Sequence, residues 1–468
     1  MDESTCYSYI FIDNSYILFK KIIRRYAIQP CEITLASLIS PLSFSTVNNK
    51  TEALFNQSAA MQKTKKLYLE FVRGGAAVFV LIAHIFELLP STGGLALANF
   101  IKVGTDAVMI FFILSGCVIN ISQSRNPKSK SEFLINRLLR LYPQFLIGIL
   151  MAIAVIHLLK MAAPSHSDIF GNLFMVSSLQ GYIVPSIETN SPVWSLSFEM
   201  GFYLLFMLTI GSYKKRLLWF WFVLSLLVLP LYYSYFSKIG VVNHIIAILS
   251  FSSIWLVGYF VYEYRNIFYT DTKTAVLSVA LLPLISRLNI FSSSYDPFKY
   301  LLFAIAAAPF FRYCLQEKAS GKKLNIIYPL IAYAVLVGTI FLNSESKFMS
   351  KVVYSALPTL LLALYCALKS LNLEHRVTQF VNKTGAVTGR YSYSLYISHY
   401  PIVFFLSVAV KSDAVYLILS VILVCLVTYI FDNVWQPVVL RLFNRENKLT
   451  FKAETAFRNS IFREREKK

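Results

Sequence analysis

The chain has 468 residues, of which 56% are hydrophobic, 15% aromatic and only 15% charged. A soluble protein would carry roughly a quarter of its residues as charges, whereas here apolar runs of bilayer-crossing length recur from residue 71 to residue 433. The composition excludes a secreted soluble enzyme, a cytosolic nucleic-acid binder and a β-barrel. It predicts an all-α fold, a polytopic transmembrane helical bundle of about 10–12 spans with no soluble catalytic domain.

Residues 1–60 hold mixed aromatics, Lys20-Lys21 and Arg24-Arg25, with neither a signal-peptide layout nor a run long enough to cross a bilayer. Met61 opens a short basic lead, Gln62 to Lys66, directly into an apolar helix. Two readings stand: 1–60 lies upstream of a functional start at Met61, or it is a poorly ordered cytoplasmic arm. The membrane domain is placed at 61–440, and 441–468 form a basic cytoplasmic tail.

Windows of about twenty residues place crossings at 71–89, 103–122, 142–161, 194–210, 217–236, 242–262, 274–291, 299–312, 326–342, 352–368, 393–410 and 414–433. With residue 71 on the cytoplasmic side, all but eight of the 44 Lys and Arg fall in inner segments. This asymmetry predicts that both termini are cytoplasmic and accounts for most of the formal net charge of +20 without nucleic acid. The six cysteines form no Cys-x-x-Cys pair, and the last four sit in or beside apolar runs. They read as small core residues, and no metal site is expected.

Ionisable residues inside apolar helices are costly, so each is a candidate for function. Arg73 and His84 are eleven residues apart in the first span, close to three whole turns. They share one face, about 16 Å apart along the axis. His84 is either a catalytic base or a hydrogen-bonded packing histidine, and Arg73 at the boundary could simply snorkel. The second span opens Gly104-Thr105-Asp106 and ends Phe111-Phe112-Ile113-Leu114-Ser115-Gly116. Arg137 and Arg140, at i and i+3, share a helix face and can grip a phosphate, or serve as ordinary topogenic charge. Before the fourth span, a segment without Lys or Arg from 161 to 193 leads into Trp194-Ser195-Leu196-Ser197-Phe198-Glu199. Glu199 is expected about a turn and a half inside that helix, near the depth of His84, where a carboxylate could orient the imidazole. A hydroxyl-rich block, Arg390 to Pro401, puts Tyr396 and His399 in the membrane. Such groups often only bond helix to helix, so a structural role is favoured there.

In this order, Arg73 to His84 (Arg-x10-His), Gly104 to Gly116, Arg137 with Arg140 (Arg-x-x-Arg), Trp194 to Glu199 and Ser392 to His399 (Ser-Tyr-Ser-Leu-Tyr-x-x-His) form five blocks. Together they resemble the acyltransferase-3 family of integral membrane O-acyltransferases, over about 61–433. Two departures from the family pattern are visible. The usual acidic-Leu-Arg-Gly opening is here Glu70-Phe71-Val72-Arg73-Gly74, and a common Glu-Glu pair is a single Glu199 followed by Met200.

The resemblance implies transfer of an acyl, expected to be acetyl, group from acyl-CoA to a hydroxyl of a surface or lipid-linked saccharide in a bacterial inner membrane. It implies His84 as general base, oriented by Glu199 or Asp106, and Arg73, Arg137 and Arg140 on the CoA phosphates. Trp194, Ser195, Ser197, Tyr396 and His399 would line the substrate path. Acyl-CoA would be a co-substrate, with no bound cofactor. A transporter or flippase of lipid-linked saccharide is the alternative from another class, and an acyltransferase acting on a small hydrophobic acceptor is a further one.

Overall fold

A computed structural model describes residues 67–91, 104–211, 214–235, 240–288, 295–316 and 363–439, with short stretches between 322 and 361 and residue 441. The segments 1–60 and 442–468, most of the crossing expected at 326–342 and part of that expected at 352–368 lie outside the described residues.

The elements in chain order are α1 (Leu67–Glu87), α2 (Gly104–Arg125), α3 (Lys130–Leu158), α4 (His166–Leu173), a 3-10 turn (Glu188–Val193) running into α5 (Trp194–Thr209), α6 (Lys214–Leu227) and α7 (Leu229–Tyr235). They continue with α8 (Val241–Glu263), α9 (Thr272–Ser286), α10 (Pro297–Leu315), α11 (Glu374–Ala409) and α12 (Asp413–Ile430), which ends in one π turn, Phe431–Trp435. Among the described residues eight helical segments are long and apolar enough to cross a membrane, as the composition predicts. α9 is apolar but shorter, and α11 is diluted by its own serines, tyrosines and histidine. Among the described residues strand is confined to two-residue parallel pairs: Ser177–Ser178 (β1) with Val184–Pro185 (β2), and Phe268–Tyr269 (β3) with Lys322–Lys323 (β4).

Local signals set the helix starts. Ser129 caps α3 through a reciprocal pair with Glu132, and Asp296 caps α10 ahead of Pro297 at its first turn. The cap at Ser129 starts α3 well before the crossing expected at 142, so Arg137 and Arg140 belong to its second and third turns. Likewise α11 begins at Glu374, well before 393.

The centre is an aromatic core between α2, α5 and α8, where Phe112, Phe198, Phe202, Phe206 and Trp255 are fully buried. Close approach there depends on glycine. A Cβ at Gly116 would stand 2.0 Å from the Trp255 carbonyl oxygen, and one at Gly258 2.0 Å from that of Ile113. The two backbones therefore cross with no room for a methyl group. α8 is the most enclosed of the crossing helices and α12 the least, its outward valines, leucines and isoleucines left for lipid. α1 lies against α11, with a Cβ at Gly74 meeting Thr388 and one at Gly389 meeting Glu70.

Candidate active site

A cleft of about 700 Å³, counting its open mouth, lies among α1, α2, α3, α5 and α11. Arg73, Arg137 and Arg140 line it beside Glu199 and Tyr203, with Phe111, Phe112 and Leu196 as apolar wall. Arg73 comes from α1 and donates to Glu70 Oε2 one turn earlier, at 2.8 Å. The Arg137 guanidinium lies over the rings of Phe133, 5.5 Å away, and Tyr203, 5.7 Å away. Its Nε is buried with no hydrogen-bond partner among the described residues. Glu199 accepts a short hydrogen bond from Tyr203, whose hydroxyl also meets Ser115 Oγ at 3.3 Å. Trp255 Nε1 donates to the same Ser115 at 3.2 Å. One polar chain thus ties α8, α2 and α5 along one wall of the cleft.

The other end of the cleft is closed by Tyr396 and Ser195, whose hydroxyls are 2.7 Å apart. Tyr396 also donates to the Pro192 carbonyl at 2.6 Å, pinning α11 to the 3-10 turn before α5. Behind Tyr396, with ring centroids 5.8 Å apart, stands His399. The His399 ring is stacked on His84 at 5.4 Å, and Tyr400 meets His84 edge-on at 4.9 Å. His84 Nδ1 is 2.9 Å from Glu87 Oε2, one turn on along α1. A carboxylate at Nδ1 makes that nitrogen the donor, so Nε2 is the atom free to take a proton.

The structure therefore brings Arg73, Arg137, Arg140, Ser195, Glu199 and Tyr396 to one cleft, and His84 with His399 to a pair just beyond its end. Arg73 and His84 do share the α1 face toward α11, as their spacing predicts. Three expectations need correcting. Glu199 is not at the depth of His84, because the 3-10 turn adds length before Trp194 and the crossing runs from Glu188 to Thr209. The carboxylate then falls mid-span, on the wall it shares with Arg73, and its partner is Tyr203. Asp106 does not orient His84 either. Its Oδ2 accepts from Ser286 at 2.6 Å, in the packing of α2 against α9. Trp194 and Ser197 do not line the cleft: Trp194 packs into Phe112, Phe198 and Tyr295, and Ser197 faces Ser177 at 3.3 Å.

The reading from sequence missed Glu87, Tyr203, Ser115 and Tyr393. Two of these carried a signal, since Glu87 is i+3 from His84 and Tyr203 is i+4 from Glu199. Ser115 and Tyr393 reach the cleft through helix packing that no local spacing shows.

A multi-span helical bundle with a cleft lined by three guanidinium groups and apolar side chains, and a histidine pair just beyond the end of that cleft, is the build of an integral membrane protein. Residues 66–432 match the Acyl_transf_3 family, an acyltransferase domain, and the chain belongs to that family. It is 32% identical over 158 residues to the acyltransferase MdmB of Streptomyces mycarofaciens, a match covering 32% of this chain and 41% of that protein. The chain thus spans less than half the length of this relative. No solved structure matches.

Proposed function

We propose that the protein transfers an acyl group, acetyl as the simplest case, from acyl-CoA to a hydroxyl of a surface or lipid-linked saccharide, in a bacterial inner membrane with both termini cytoplasmic. The observation that carries this reading is the cleft with three guanidinium groups, one of which keeps a buried, unpartnered Nε. A buried donor left unpaired costs about 1–3 kcal/mol, more when charged, so such a site favours an anion able to fill it. The phosphates of CoA supply one, and bidentate guanidinium contacts suit them. The apolar wall of Phe111, Phe112 and Leu196 then suits the arm and the acyl end that follow.

In this scheme Arg73, Arg137 and Arg140 hold the phosphates and the thioester points toward Ser195 and Tyr396. His84 Nε2 takes the proton of the attacking hydroxyl, and Glu87, in the part first assigned to Glu199 or Asp106, holds the ring in the useful tautomer and stabilises the imidazolium. Glu87 acts through His84 and is a positioning residue. Glu199, bonded to Tyr203, shapes the donor cleft.

The test compares a deletion strain with its parent by mass spectrometry of the surface polysaccharide, and pairs this with acetyl-CoA turnover by the purified protein in lipid nanodiscs. Loss of an acyl substituent in the deletion strain, and acetyl-CoA-dependent acylation restored by the purified protein, are expected. An unmodified acceptor carried across the membrane by the protein, with no acyl-CoA consumed, would overturn the reading in favour of a transporter.

A further inference from the structure

His399 Nδ1 stands 2.8 Å from the Tyr396 carbonyl oxygen and 3.2 Å from that of Leu395. Carbonyls only accept, so Nδ1 carries the hydrogen and Nε2 is left with a bare lone pair. Nε2 is buried without a hydrogen-bond partner among the described residues, in a residue 1% exposed. Burying a polar atom unsatisfied is costly, and an apolar side chain would fill the same space without that cost. The ring also has a definite place in a sequence. Tyr396 closes the donor cleft, His399 is the next ring, His84 is stacked beyond it, and Glu87, 63% exposed, is last.

We propose that His399 carries the acyl group between donor and acceptor as an acyl-imidazole, a step that rests on the acyl-transfer reading above. Once the Tyr396 ring swings out of the end of the cleft, the Nε2 lone pair attacks the thioester carbon. A C–N bond forms, the C–S bond breaks, and CoA leaves as the thiolate into the cleft, where it takes a proton from water. The positive charge on the ring is met by the two carbonyls that hold Nδ1–H. The acceptor hydroxyl oxygen then attacks the acyl carbon, a C–O bond forms, and the C–N pair returns to Nε2. The hydroxyl proton goes to His84 Nε2, Glu87 holds the resulting imidazolium at Nδ1–H, and the proton on Nε2 is then released to solvent, which restores the starting tautomer. The two histidines divide the work by their Nδ1 partners. His84 Nδ1 faces the Glu87 carboxylate, whereas His399 Nδ1 faces two backbone carbonyls.

The full chain in lipid nanodiscs is given radiolabelled acetyl-CoA and, in parallel, radiolabelled palmitoyl-CoA, with no acceptor present. In a second arm, unlabelled acyl-CoA is incubated with labelled free CoA. Label bound to the protein, mapped to His399 by peptide mass spectrometry, and exchange of labelled CoA into the acyl-CoA pool are expected. His399→Ala should reduce both to background. His84→Ala should block transfer to the acceptor and let label accumulate on His399. Label on another residue would overturn the proposal even if His399→Ala does not fold. So would the lack of acceptor-free exchange in a preparation that does acylate acceptor, a result that leaves the acyl-transfer reading standing. A preparation that neither exchanges nor acylates anything overturns that reading as well.

Discussion

Arg73 and His84 project from one face of α1, about 16 Å apart, yet they stand in different surroundings. Around Arg73 the groups are charged and open: two further guanidinium groups, two carboxylates, and a cleft in front of them. Around His84 they are aromatic, with His399 and Tyr400 packed on the ring and one exposed carboxylate at its edge. The first end presents charge to a cleft, and the second holds an imidazole against two aromatic rings and one carboxylate. One helix thus carries a charged end and an aromatic end at two depths, with three turns of small and apolar residues between.

Replacing His84 should break the comparison most severely. His84→Ala is expected to lower acyl transfer by at least about a hundredfold, the lower range for a lost general base. The protein should stay inserted and still bind acyl-CoA, as measured by radioligand binding beside a turnover assay. Near-normal transfer would mean that the histidine end is packing only.

At the other end, Arg137→Ala and Arg140→Ala each remove a charge-assisted contact worth roughly 1.5–3 kcal/mol, so acyl-CoA should bind about ten- to a hundredfold more weakly. Saturating donor should restore most of the turnover. Unchanged binding in both variants would reduce these arginines to topogenic charge.

Gly258→Ala tests the frame that holds both ends. The new methyl would meet the Ile113 carbonyl, a backbone atom that cannot turn aside. Forcing α2 and α8 apart should cost about 1–3 kcal/mol, visible as a lower melting temperature in detergent. An unchanged melting temperature would show that the two helices separate freely.

The mildest change sharpens the role of Glu87. Glu87→Gln keeps an acceptor for His84 Nδ1–H but loses the charge that stabilises the imidazolium. Turnover should therefore fall less than in Glu87→Ala, with acyl-CoA binding unchanged in both. Groups that face His84 are His399 and Tyr400 from α11 and Glu87 from its own helix. Equal losses in both variants would assign Glu87 to structure.

Most of the bundle was legible because bilayer crossing imposes length and apolarity on consecutive residues, a local signal. The shared face of Arg73 and His84 followed from helix geometry, and the pairing of Arg137 with Arg140 did too. The depth of Glu199 did not. It depends on where the helical segment begins, and Glu188 to Val193 has too few apolar residues to read as part of a crossing. Nor did the contact of His84 with His399. That contact joins residues 315 positions apart in sequence, and the close approach of α1 to α11 rests on Gly74 and Gly389, which hydropathy does not register.

Tyr396 fills the space between the open cleft and the histidine pair, with Phe111 against its ring at 5.6 Å and its hydroxyl held by Ser195 and Pro192. A protein that admits a charged molecule partway into a bilayer creates a hazard for the cell, since a wet path from one side to the other would discharge the ion gradient the membrane maintains. One aromatic ring, anchored by two hydrogen bonds, is thick enough to interrupt such a path. Its hydroxyl faces groups that can release it when a ligand pushes in. Leakage of protons through vesicles carrying a Tyr396→Ala variant is the direct measure of how far this one side chain seals the bundle.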